Sequence, residues 1–179
     1  AVPPVFLVAD GMGGHEGGER ASGEVRRRFQ ESCAGEWLSG AEITRIVRRA
    51  ADNIESLEHR GRPPGSTVAG VALARYAGPP CWLVFNIGDS RVYLMRSGEL
   101  RQISVDHSVG SHSGKGDRPR LTRALGAGLG SPVADQWLIR ARVGDRMLVC
   151  TDGLSNAVAR EQLAAAMVGD DDPQETVQR

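Results

Sequence analysis

The first apolar run of the chain, Val5-Phe6-Leu7-Val8-Ala9, stops abruptly at Asp10. That pattern predicts a central strand covered on both faces. A glycine-rich turn over 11–18 follows. After it Ala21, Val25 and Phe29 recur every four residues in a polar stretch, which predicts a helix resting one face on a sheet. The plainest element comes next. Ser39 and Glu42 have the spacing of a capping box, and Ile43, Ile46, Val47, Ala50, Ile54 and Leu57 share one face at a 3.6-residue period with arginines opposite. A loop over 61–65, containing Pro63 and Pro64, ends that helix.

Strands then cluster. Residues 67–74 and 81–87 are joined across Ala77-Gly78-Pro79-Pro80, and 92–95 turns through Ser97-Gly98 into 100–105 as a hairpin. Trp137, Ile139, Ala141 and Val143 alternate with Leu138, Arg140 and Arg142, the mark of a half-buried strand. Residues 147–151 form another wholly apolar run ending at an acid, Asp152. Strands gathered in the middle with helices around them predict an α+β architecture of layered sheets covered by helices. Residues 108–120 carry almost no apolar side chain, as expected of a lid, a binding loop or an irregular insert. Asp172-Pro173-Gln174-Glu175 is a helix start, yet only four residues follow it. With a chain that opens almost directly into a strand, this leads us to expect 1–179 to be one domain lacking its first strand or strands and its C-terminal end.

A length of 179 residues suits one domain with a sizeable core. Basic and acidic residues balance at 22 each, so no overall field points to nucleic acid or an anionic membrane as partner. The apolar runs are too short to span a bilayer and no secretory leader precedes them. Cys33, Cys81 and Cys150 lack any CxxC pairing and read as small buried hydrophobes, with a reducing cytoplasm as the expected setting.

The candidate chemistry lies where apolar runs end in acids. Asp10-Gly11 and Asp152-Gly153 each follow such a run, and Asp89 follows a third. A carboxylate at a strand tip is rigidly held, and a neighbouring glycine lets backbone and ion approach closely. Hard divalent cations take carboxylate and carbonyl oxygens together. One Asp-Gly alone is usually a turn. Three carboxylates at strand tips suggest an oxygen-rich metal site at a sheet edge, with Asp10 and Asp152 on adjacent strands. Gly11-Met12-Gly13-Gly14 departs from a dinucleotide-binding loop because Glu16 breaks the G-x-G-x-x-G spacing, and no P-loop is present. His15, His107 and His112 read as loop or supporting residues. Arg26–Arg28 and Arg48-Arg49 read as solvated helix faces, while Lys115, Arg118 and Arg120 offer a minor reading as contacts to acidic phosphopeptides.

Six segments, in order, resemble the motifs of bacterial PPM (type 2C) protein serine/threonine phosphatases. They are Asp10-Gly11-Met12-Gly13-Gly14-His15, Gly65-Ser66-Thr67, Gly88-Asp89-Ser90-Arg91, Asp106-His107-Ser108, Leu121-Thr122-Arg123-Ala124-Leu125-Gly126 and Thr151-Asp152-Gly153-Leu154. The resemblance implies an αββα four-layer sandwich of two antiparallel β-sheets flanked by helices, with 108–120 as the flap. It implies that Asp10 and Asp152 are catalytic through two Mn²⁺ or Mg²⁺ ions. Asp10 would bridge them, the Gly11 carbonyl and Asp152 would complete the pair, and Asp89 would help hold a third ion. A metal-bridged hydroxide would then hydrolyse phosphoserine and phosphothreonine in proteins, opposing a bacterial Ser/Thr kinase. A cytoplasmic monomer is expected. The family's upstream Arg and acidic pair, and its final Asp-Asn, have no counterpart in the chain. The rival expectation is therefore a pseudophosphatase of the same fold that binds phosphoproteins without turnover.

Overall fold

The helices form where apolar spacing and capping favour them. In the computed structural model, which describes residues 5–33, 35–110, 119–129, 133–168 and 172–178, α1 spans His15–Ser32 and buries Ala21, Val25 and Phe29. It follows strands β1 (Val5–Val8) and β2 (Gly11–Met12). Much of the expected turn over 11–18 is thus already strand or helix. α2 (Gly40–Glu55) is capped as its sequence indicates: the Ser39 hydroxyl accepts the Glu42 N–H at 3.3 Å, and the Glu42 carboxylate accepts the Ser39 N–H at 2.9 Å. Leu57 lies past the helix end but still packs on the same core.

The strands continue as β3 (Gly65–Ser66), β4 (Val68–Arg75), β5 (Pro80–Ile87), β6 (Arg91–Arg96), β7 (Glu99–Gln102), β8 (Ser108–Val109), β9 (Arg120–Leu121), β10 (Leu125–Gly126), β11 (Asp135–Arg140) and β12 (Arg146–Cys150). Short helices α3 (Asp152–Ala157), α4 (Arg160–Met167) and α5 (Pro173–Gln178) close the chain. One main sheet has the order β1-β4-β5-β11 and the other β12-β6-β7, and every pairing is antiparallel. The β6–β7 hairpin turns through Ser97 (φ 53°) and Gly98 (φ 80°), the type I′ pattern that matches strand twist.

Three apolar clusters show how the layers stack. α1 and α2 bury Val25, Phe29, Ile43 and Ile54 against Val68, Phe85 and Ile87 of the first sheet, with the Phe29 and Phe85 rings stacked at 5.4 Å. Between the sheets Ala69, Val71 and Val84 meet Val92, Met147 and Val149. Beyond the second sheet Leu163 and Met167 of α4 cover Tyr93, Met95 and Leu100. Helix, sheet, sheet, helix is the expected four-layer order.

Some expectations change. Among the described residues β1 pairs only with β4, with Val5 buried and Phe6 46% exposed. Among them β12 pairs only with β6 and is half-buried over most of its length. The hairpin's second strand stops at Gln102, and Val143 sits in an exposed turn beyond β11. Of the expected flap, β8 and β9 pair as its two stems, while 111–118 lie outside the described residues. α5 begins as the sequence indicates, with the Asp172 carboxylate accepting the Gln174 N–H at 2.7 Å.

Candidate functional site

The topology decides where the acids meet. β1 and β5 both pair antiparallel with β4, so they run in the same direction and end at the same edge of the first sheet. Asp10 follows β1 and Asp89 follows β5. The chain then crosses to the second sheet, where Arg91, the first residue of β6, pairs with Cys150, the last of β12. Asp152, just beyond, is thereby brought to the same end. Asp10 and Asp152 therefore do not lie on adjacent strands of one sheet, as expected, but face each other from two sheets. The site lies at the seam between the sheets rather than at a single sheet edge.

All three acids line one cavity of about 890 Å³, with Met12, Thr67 and Gly153. Burial, then the negative charge of Asp152, pushes the Asp10 carboxyl above the usual carboxylate range. Asp89 is pushed up in the same way, by burial first and then chiefly by Asp152. Neither forms an ion pair among the described residues. Asp152 accepts a bond from the Asn156 amide at 3.3 Å. Neighbouring carboxylates that form no ion pair among the described residues fit a hard divalent cation. No three His, Cys, Asp or Glu side chains among the described residues close around a single point. The acids rim the cavity, an arrangement suited to ions such as Mg²⁺ that retain several waters.

Gly11 allows a helix to lie against this rim. A Cβ on Gly11 would stand 1.9 Å from the carbonyl oxygen of Gly18 in the first turn of α1, so only glycine fits. Hydroxyls brace the strand tips. Thr67 Oγ1 accepts the Asp10 N–H at 3.1 Å and lies 2.8 Å from Ser90 Oγ, linking the tips of β1 and β5.

His107 is the residue that sequence reasoning undervalued. It is buried, its backbone N–H donates to the Gly88 carbonyl at 2.9 Å, and its Nδ1 accepts the Gly88 N–H at 3.1 Å. A backbone N–H can only donate, so the ring proton resides on Nε2, which donates to Asp135 at 3.0 Å. Arg123 holds the other oxygen of Asp135 at 2.6 Å, and the two donors together lower the Asp135 carboxyl against the effect of its burial. Gly88 has φ +107°, a left-handed conformation that this double clasp fixes immediately before Asp89. Arg91 does not face the cavity's acids as a partner. It grips Asp106 through Nε (2.9 Å) and Nη2 (2.7 Å). The position of His107 beside Asp106 in the motif was the available signal, but nothing in the spacing linked it to Gly88.

Comparison with known proteins bears on the family and the fold. A family model described as Protein phosphatase 2C matches residues 3–170. The serine/threonine phosphatase stp of Listeria welshimeri is 29% identical over 185 residues, covering 89% of this chain and 70% of the relative. The crystal structure of the Mycobacterium tuberculosis serine/threonine phosphatase PstP/Ppp superposes with a TM-score of 0.80 at 29% identity, covering 99% of this chain and 82% of that one. The catalytic domain of the phosphatase PstP in complex with two manganese ions gives a TM-score of 0.76 at 31% identity, covering 93% and 74%.

Proposed function

The chain belongs to the protein phosphatase 2C family, and from that premise we propose that its seam cavity hydrolyses phosphoserine and phosphothreonine esters of proteins with the help of divalent metal ions. The observation that carries this reading is the set of three carboxylates, none in an ion pair among the described residues, brought from two sheets into one cavity. Asp10, the Gly11 carbonyl and Asp152 would hold the two core ions, and Asp89 a further one. Mn²⁺ and Mg²⁺ both suit the donor set. When bound, such ions supply Lewis acidity and lower the pKa of water towards neutrality.

The chain's own contribution is to hold these oxygens still. Thr67 fixes the backbone of Asp10 and meets Ser90 beside Asp89, while His107 clasps Gly88 from both sides. Preorganised oxygens avoid a reorganisation cost as phosphorus changes geometry. Neither Cys81 nor Cys150 reaches this chemistry: both are buried, and Cys150 has its thiol pushed up by burial. Opposition to a Ser/Thr kinase would follow from such a substrate class.

Asp10→Asn replaces a charged ligand with a neutral amide of the same shape. It should abolish Mn²⁺-dependent release of phosphate from a phosphothreonine peptide while leaving the circular dichroism spectrum unchanged. Turnover near that of the unsubstituted protein would rule the reading out.

A further inference from the structure

Two cationic side chains share the cavity with the acids. Arg62 lies in the loop between α2 and β3, Arg120 lies in β9, and both line the same space as Asp10, Asp89 and Asp152. Both residues are exposed, and neither has an ion pair or a side-chain hydrogen bond among the described residues. Two nearby arginines are otherwise committed: Arg91 is bound to Asp106 and Arg123 to Asp135.

A cavity rimmed by carboxylates has an electrostatic problem with its substrate. A phosphomonoester carries nearly two negative charges at neutral pH, and the acids repel it. A guanidinium stays charged at every relevant pH and offers a planar fork matched to phosphate oxygens. Two such forks, from separate parts of the chain and with no ion pair among the described residues, are the cationic side chains that line this cavity among those residues. We propose that Arg62 and Arg120 grip the phosphoryl group of the substrate, with Arg62 anchored after α2 and Arg120 carried on the stem of the hairpin formed by β8 and β9. The proposal rests on the hydrolase reading for the identity of the ligand, but the gripping itself requires only a phosphate.

The experiment compares Arg62→Gln, Arg120→Gln, the double variant and Arg101→Gln, which removes the same charge from the exposed face of β7 away from the cavity. The probes are a phosphothreonine peptide, p-nitrophenyl phosphate, and inorganic phosphate as competitive inhibitor. Each single cavity variant should raise KM for both substrates and Ki for phosphate by about tenfold, as loss of one charge-assisted contact implies. The double variant should lose more than either, and Arg101→Gln should change neither constant. Ki for phosphate within twofold of the unsubstituted protein in the double variant overturns the proposal. So does a loss confined to the peptide, which would assign the arginines to its flanking residues. Phosphate binding is also measured directly by calorimetry on the Mn²⁺-loaded protein. If the unsubstituted protein shows no turnover yet binds phosphate, and the double variant does not, the hydrolase reading falls and the gripping pair stands. Equal binding by both, or binding by neither, overturns the pair.

Discussion

Asp89 shows what a buried carboxyl among other acids costs the fold. Its carboxyl is raised by burial and by neighbouring acids, Asp152 foremost. A carboxyl raised on folding favours the folded state below its unfolded pKa of about 4 and disfavours it once pH climbs through the higher folded value. In metal-free protein Asp89→Asn should therefore raise Tm near pH 7, and the gain should shrink towards zero by about pH 4. Each kcal/mol relieved corresponds to about 2–4 °C in a chain of this size. Differential scanning calorimetry across that range checks it, and a variant less stable than the parent at neutral pH would contradict the assignment. Mn²⁺ should then stabilise the parent more than the variant, because a ligand stabilises in proportion to its affinity for the folded state. That Asp10, Asp89 and Asp152 each end an apolar run was legible in the sequence. Their meeting across two sheets was not, because it follows from the shared direction of β1 and β5 and from the pairing of Arg91 with Cys150. His107 was harder still: its Nδ1 bond to Gly88 spans 19 residues, and no periodicity records such a contact.

Among the elements, the helices were the most readable. Ser39 with Glu42 and the stripe from Ile43 to Ile54 act locally, so sequence distance equals spatial distance. Edge and centre are not local properties. The run from Val5 to Val8 is apolar enough for a central strand, yet among the described residues it pairs only with β4, and Phe6 is left half exposed. The glycine stretch divides in a related way. Gly13 and Gly14 make a short left-handed turn, while Gly11 and Gly18 serve the close crossing of α1 over β2. Gly11→Ala would place a methyl 1.9 Å from the Gly18 carbonyl oxygen, and Gly18→Ala would place one 2.8 Å from Gly11. Backbone atoms cannot rotate aside, so α1 must shift. We expect either variant to cost about 1–3 kcal/mol, as overpacking does, measured by urea unfolding. Both should also weaken Mn²⁺ binding, since Gly11 adjoins Asp10. Alanine tolerated at both positions without loss of stability would refute the crossing as described.

The whole molecule is held together by an apolar layer between its sheets and by one buried charge cluster. Asp145, its side chain only 2% exposed, lies in the turn between β11 and β12. It accepts bonds from the Trp82 indole of the first sheet at 2.8 Å and from Arg96 of the second at 2.7 Å through both Nε and Nη2, as well as from the Arg142 N–H at 2.9 Å. Burial alone would raise its pKa, but these donors bring it down to about 2. A depressed carboxyl contributes stability that is present above its unfolded pKa of about 4 and is lost as pH falls through its folded value of about 2. Asp145→Ala should cost about 2–3 kcal/mol at neutral pH, and its acid denaturation profile should be flatter than the parent's between those limits. Equal slopes would show that the cluster is not responsible.

The position of that cluster has a mechanical consequence. Strand β6 begins at Arg91 beside the acids and ends at Arg96 beside Asp145, a reach of about 17 Å at ~3.3 Å per residue. The two sheets are thus built like a clothes-peg, fastened at one end by Asp145 and pushed apart at the other by three like charges. A small change of angle at the fastened end would be magnified at the jaws, so Asp145→Ala should weaken Mn²⁺ binding although Asp145 touches none of the three acids.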